Sequence, residues 1–333
     1  MRIPKRDQAV DALRTMWWFA FLKTQLGQRF AVGVQRIIEP ELDGLDADGV
    51  PKRNDKHQRY DRGENVPYQR TIDLAEQKVR GSARLIQHVL WEILKRGSAE
   101  VARSPRQFIS RLALELQARL LDRGGHLQLG TNVYQLRALS KPRSMDGLAA
   151  VTILFMVCRE RQDEVSAAHF AILVWRQLLL VGREFNDELA PKLFELFKER
   201  IFDGVQYRGY RFDFSQYDYV HCSRYFYSVW HWVVRRPQSK RSRRNIGVRL
   251  LEGRVNPSFL RDCGPRLVPI DEKHDGYLIW PTMATPPVPQ TIHDMLQKMS
   301  AAERAVYDEW KAWVVERIWS ASARDIFPKR TYN

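Results

Sequence analysis

The sequence predicts a mainly α protein: a multi-helix bundle with an N-terminal helix-turn-helix-like domain and at most a few short strands. Three observations predict it. Apolar residues recur at helical spacing over much of the first 200 positions, as in Val10, Leu13 and Trp17, or Phe108, Leu112 and Leu116. Gly63, Gly97 and Gly124 stand where these runs stop, and Pro105 where one starts. Near-alternation is confined to a short aromatic stretch after residue 203. At 333 residues, with 44% hydrophobic and 28% charged, the chain has a globular composition and the length for two or three domains. The expected divisions are a helix-turn-helix-like domain over 1–100, a helical body over 101–263, a Pro-rich connector over 264–290 and a C-terminal helical segment over 291–333.

In chain order, residues 7–26 read as a helix with Val10, Leu13, Trp17, Phe21 and Leu22 inward, and Trp17 and Trp18 as core aromatics. Ala31 to Ile38 is helical until Pro40. Glu39 to Gly49 carries five acids and is placed to screen the basic segment after it. That segment holds Lys52, Arg53, Lys56, Arg59 and Arg62, with Asn54, His57 and Gln58 between them. Lys56 to Asp61 fits a short helix that Gly63 ends in the left-handed conformation. Pro67 cannot continue it, and Ile72, Leu74, Ala75 and Val79 mark a second helix. Ser82 to Lys95 reads as one helix ending at Gly97. Ser104-Pro105 starts another, whose stripe of Phe108, Ile109, Leu112, Leu116, Leu120 and Leu121 stops at Gly124-Gly125.

Residues 126–130 fit a turn or a strand piece, and 141–147 a loop. Leu148 to Val157 is continuously apolar, so period alone does not separate helix from buried strand. Asp163 to Gly182 and Asp187 to Phe202 are helical, with His169 a partly buried core residue. No uninterrupted apolar run has the length to span a bilayer. Residues 264–290 hold six prolines and read as an extended connector. Ser300 to Glu303 forms a capping box, and Val306, Trp310, Trp313, Val314 and Trp319 continue as a helix that docks on the body or self-associates.

The net charge of +15 is focused. Residues 201–270 carry 13 Lys and Arg against 5 Asp and Glu, more than half of the excess. From Tyr219 to Leu251 there is no acid, while Arg224, Arg235, Arg236, Lys240, Arg241, Arg243, Arg244 and Arg249 supply eight positive charges. Pro237 and the serines make Pro237 to Ser242 a loop, and a basic loop of this kind neutralises phosphates and releases counterions, which gives salt-sensitive, sequence-independent affinity. Eleven aromatic residues between Tyr207 and Trp232 precede it, interleaved with Arg208, Arg211 and Arg224. They fit either core packing or stacking on single-stranded bases. The partner expected is therefore nucleic acid, DNA first, with no membrane. A protein partner or self-association through the aromatic segment and the C-terminal helix is the other expectation. Three cysteines, Cys158, Cys222 and Cys263, without a CxxC pair suit reduced thiols in a cytoplasm.

The string RYDRGENVP (residues 59–67) followed by TIDLAE (71–76) resembles the end of a phage-repressor (Cro-type) helix-turn-helix. The wider pattern, with MWWFAFLKTQLG upstream and GSARLIQHVLWEIL downstream, is similar to a poorly characterised bacterial family of mobile-element or regulatory contexts. The resemblance covers roughly residues 12–95. It departs from the repressor pattern in the acidic loop, Glu39 to Asp48, which stands in place of a tight turn. It implies that Lys56, Gln58, Arg59 and Arg62 read a DNA groove, with Arg53 and His57 also among the nucleic-acid-binding residues. From their charge, Arg235, Arg236, Lys240, Arg241, Arg243 and Arg244 would clamp phosphates.

No catalytic constellation stands out, and no cofactor is expected. His221 and Cys222, with His231 nearby, lack a fourth ligand at metal spacing. Asp271-Glu272-Lys273, with Asp262 or Asp218 upstream, has the D-x-K ending of some metal-dependent nucleases. There is no phosphate-cradling Gly loop and no nucleophile elbow. Double-stranded DNA binding is thus the first reading, a non-catalytic subunit of a nucleoprotein or defence assembly the second, and a metal-dependent nuclease the third.

Overall fold

A computed structural model describes residues 5–42, 55–129, 144–182, 188–207, 209–213, 219–220, 222–223 and 266–270. Within them the protein is mainly α. The helices are α1 (Lys5–Gln25), α2 (Ala31–Ile38), α3 (Lys56–Arg62), α4 (Gln69–Lys78), α5 (Ser82–Ile86), α6 (Val89–Arg96), α7 (Ser98–Arg103), α8 (Pro105–Ile109), α9 (Leu114–Leu120), α10 (Met145–Glu160), α11 (Glu164–Val181) and α12 (Leu189–Phe197). A π-helical turn, Lys198–Phe202, extends α12. Strands β1 (Gln206–Tyr207), β2 (Tyr210–Asp213) and β3 (Arg266–Pro269) form an antiparallel sheet with β2 in the centre, Tyr207 opposite Tyr210 and Asp213 opposite Arg266.

The α10–α11 hairpin is the centre of the larger of two cores. Helices α6, α7, α8 and α9 pack around α10, and β1 packs on α11. Enclosure on all sides explains the continuous apolar run, because a helix without a solvent face has no polar stripe. All residues from Met145 to Cys158 are buried. The caps carry the helical signal that the period lacks. Ser144 Oγ accepts from Gly147 N at 3.2 Å, and Asp163 Oδ1 accepts from Ser166 N at 3.0 Å. Between the helices, Gln162 takes the left-handed conformation at φ 58°. The N–H of Gln162 bonds Arg159 O and that of Asp163 bonds Cys158 O, the two bonds of a Schellman motif.

A second, smaller core holds Trp18, Phe19, Leu22, Ala31, Val34, Ile38, Tyr60, Ile72, Ala75, Val79 and Ile86. Helix α1 serves both. Val10, Leu13 and Trp17 face the large core, while Trp18, Phe19 and Leu22 face the small one. Trp17 meets Trp91 edge-on at 5.8 Å, and its sequence neighbour Trp18 meets Tyr60 at 6.2 Å. Helices α6 and α7 pack on α10, so Val89, Leu94 and Val101 belong to the large core, while Ile72, Val79 and Ile86 belong to the small one.

Several elements differ from the sequence expectation. The helix expected over Ser82 to Lys95 is two helices, because His88 takes an extended conformation (ψ 138°) and caps α6 with its own ring, Nδ1 accepting from Leu90 N at 3.1 Å. The helix expected from Ser104 to Leu121 breaks likewise, with Ala113 extended at ψ 140°. Part of the expected connector is strand β3. Helix α11 has the length and mean hydropathy, 1.3 over 18 residues, of a membrane-crossing helix, unlike the shorter runs read from the sequence, and most of it is buried inside the fold. The chain turns at Arg123 and Gly124, and Leu127 returns to pair with Leu121 in an isolated antiparallel bridge. The C-terminal helix, the capping box at Ser300 and the Asp271-Glu272-Lys273 triplet lie outside the described residues.

Candidate nucleic-acid interface

Helix α3 is short, and its end is fixed by the chain itself. Gly63 N bonds Tyr60 O at 3.1 Å and Glu64 N bonds Arg59 O at 2.9 Å, with Gly63 at φ 71°. A Cβ at Gly63 would lie 2.8 Å from the Ala12 carbonyl oxygen and 2.8 Å from Met16 Cγ. This close approach seats α3 on α1, and Lys23 pairs with Asp61 across the same seam at 2.6 Å. Pro67 is buried in the turn that leads to α4.

The helix has two faces. His57 and Tyr60, each 1% exposed, point into the small core against Phe19 and Trp18. Gln58, Arg59 and Arg62 are exposed on the opposite side. The reading of His57 as a groove contact is therefore corrected: its imidazole is inside the protein, with Nε2 2.8 Å from Glu39 Oε2. Lys56 turns the same way, and its Nζ lies 2.8 Å from both oxygens of Glu39. Thr71 Oγ1 of α4 also reaches Glu39, at 3.3 Å. Glu39 is itself buried, just beyond the last turn of α2, where a lone carboxylate would oppose the helix dipole. Burial alone would raise its pKa, yet the hydrogen bonds from Lys56 and His57 hold it below the ordinary carboxylate value. For His57 burial dominates and pushes the pKa down, with Glu39 opposing.

The outward cations are paired at the surface. Arg59 binds Asp55 Oδ2 at 2.9 Å, Arg62 lies 3.5 Å from Glu64, and Arg70 of α4 lies 3.3 Å from Glu41. Exposed pairs of this kind are worth about 0–1 kcal/mol and open readily to a competing anion. Tyr68, 75% exposed, and Val66 stand between the two helices. Glu39 and Glu41 were expected only as members of an acidic loop that screens the basic segment, and Tyr68, Arg70 and Thr71 were not singled out from the sequence. The signal for Glu39 was its place at a helix end immediately before Pro40, and nothing local marked the long-range pairing.

Arg53 and the whole set Arg235, Arg236, Lys240, Arg241, Arg243 and Arg244 lie outside the described residues. Tyr210 and Tyr219 of the aromatic segment belong to the core, and Phe212 packs against it. Tyr219 is buried, stacks on Phe194 at 4.9 Å, meets Trp175 at 6.1 Å and donates its hydroxyl to Leu178 O at 2.6 Å. Cys158 and Cys222 are buried and are not joined in a disulfide. A pocket of about 100 Å³ lined by Phe155, Arg159, Gln162, Gly204, Val205 and Gln206 falls well short of the roughly 300–1,000 Å³ of ligand sites. Among the described residues no group of three His, Cys, Asp or Glu side chains is placed to hold a metal ion. No family model matches the chain, and neither a curated protein nor a solved structure matches it.

Proposed function

We propose that the protein binds nucleic acid, with double-stranded DNA as the favoured form. The observation that carries this reading is the acid-free stretch from Tyr219 to Leu251 with its eight positive charges. Such a field attracts a polyanion before any sequence is read. The outward face of α3 supplies the second contact, with Gln58, Arg59 and Arg62 on one side of a helix that α1 and α2 hold from behind. In this reading α3 and α4 act as the helix-turn-helix-like unit. Arg59 and Arg62 exchange Asp55 and Glu64 for phosphate or base-edge acceptors. Lys56 and His57 position the helix and leave the contact to the outer residues.

Binding of labelled duplex DNA, single-stranded DNA and RNA across a salt series tests this. Arg59→Ala weakens duplex binding by about 1–3 kcal/mol and relaxes sequence preference. Charge removal at Arg241, Arg243 and Arg244 lowers affinity for every sequence and flattens the salt slope by up to about three. Wild-type binding by both variants, or no binding of any nucleic acid at low salt, refutes the proposal.

A further inference from the structure

We infer that the Glu39–His57 pair is a proton-operated latch, holding α3 and the start of α4 to the end of α2 and letting them go as a unit when His57 takes up a second proton. It concerns the folding of the N-terminal helices and stands apart from the nucleic-acid reading.

The geometry fixes the protonation state. Glu39 accepts from Lys56 and Thr71, and its Oε2 lies 2.8 Å from His57 Nε2. A carboxylate only accepts, so Nε2 carries the proton. Nδ1 is then a bare lone pair, buried with no protein hydrogen-bond partner. The rings of Phe19 and Tyr60 flank it, with centroids 5.8 and 5.6 Å from that of His57. A proton on Nδ1 would be a buried charged donor without an acceptor, among the more costly arrangements in a core.

The neighbouring charges do not relieve it. Lys56 sits on the same carboxylate and opposes a second cation, while Glu39 favours one but is already shared among three donors. From α1 the facing residues are Phe19 and Trp18, and the Lys23–Asp61 pair lies at the α1–α3 seam. Tyr60 is a neutral phenol whose pKa burial raises. On α4 the contact is the Thr71 hydroxyl, and Arg70 is engaged by Glu41.

The sign follows from His57 having a folded-state pKa below its ordinary 6.5. The neutral latch is intact above 6.5. As pH falls below it, the released state binds the proton that the latched state refuses, and the latch weakens. Glu39 acts in the same direction but lower, beneath its ordinary value of 4.5, so the two steps are separable. Release can stay local because Tyr60 and Ile72 belong to the small core, whereas α10 and α11 belong to the large one.

The experiment is hydrogen exchange of the full chain at about pH 7.5 and about pH 5.2, expressed as protection factors, alongside nitrogen-resolved NMR of the imidazoles. The expected result is an Nε2–H tautomer for His57 at the higher pH. Amides of 56–78 should lose protection by about tenfold or more at the lower pH, while those of α10 and α11 hold. In His57→Gln, which keeps an N–H donor but cannot titrate in this range, the step disappears. An Nδ1–H tautomer, unchanged protection over 56–78, equal loss across both cores, or a step that survives in His57→Gln each overturns the proposal. Should His57→Gln not fold, the wild-type tautomer and exchange pattern still decide.

Discussion

Replacing Gly63 by alanine tests how α3 is seated, and Gly81 supplies the internal standard. Both glycines have positive φ, 71° and 89°, so both substitutions place a Cβ in a left-handed residue. That conformation costs about 1–2 kcal/mol for a non-glycine residue, partly offset by the lower chain entropy of alanine in the unfolded state. The two sites differ in what the new methyl meets. At Gly81 nothing lies within 4 Å. At Gly63 the methyl would be 2.8 Å from Met16 Cγ, which can swing away, and 2.8 Å from the Ala12 carbonyl oxygen, which cannot without moving α1. Overpacking of this kind adds about 1–3 kcal/mol. Gly81→Ala should therefore destabilise by about 1 kcal/mol and Gly63→Ala by about 2–4 kcal/mol. Urea unfolding followed by tryptophan fluorescence measures both, provided the slope with denaturant is unchanged. If the two variants lose the same stability within about 0.5 kcal/mol, the close approach of α3 to α1 contributes nothing and the argument fails.

Gln162 invites the reverse change. It occupies a Schellman position usually held by glycine, so Gln162→Gly should raise stability by about 1 kcal/mol, read as a higher urea midpoint. Asp146 joins His88 at 2.9 Å and Arg84 at 2.8 Å. Burial raises its pKa, but these partners hold the carboxyl below its ordinary 3.8. Its contribution is therefore complete above that value and is lost as pH falls through the lower folded-state one. Asp146→Asn should cost about 1.5–3 kcal/mol at neutral pH and remove this part of the acid dependence, measured by denaturation at a series of pH values. Burial pushes the Cys158 thiol up to about 12, so it should resist iodoacetamide in the native protein and react on unfolding, as peptide mass spectrometry would show.

The parts legible in the sequence are those written in local chemistry. Helix α2 ends at Ile38 before Pro40, α3 stops at Gly63, and Pro105 begins α8, because proline and glycine act on the backbone at their own positions. The breaks at His88 and Ala113 were not legible. Neither residue belongs to the usual capping set, and the His88 ring caps α6 while Asp146, far along the chain, holds its other nitrogen. The same limit governs the candidate site. Gln58, Arg59 and Arg62 lie outward as their spacing around Tyr60 implies. Lys56 and His57 read as members of one basic cluster, and only the buried Glu39 turns them inward. Tyr210 and Tyr219 were open between core and surface, since composition carries no information about depth.

The double role of α1 has a consequence for what this chain can tolerate by insertion or deletion. Trp17 and Trp18 stand on opposite sides of a seam because consecutive helical residues are about 100° apart. One extra residue upstream within α1 would carry every later side chain round by that angle relative to the earlier ones. An ordinary surface helix would move its stripe toward water on one side only. Here the residues meant for each core would be displaced together, and no rigid rotation of the helix repairs both. A four-residue insertion comes much closer to restoring the angle, and it lengthens the helix by about 6 Å. Viable length variants of this protein should therefore place single-residue changes in the connecting turns, and changes inside α1 in steps of three or four.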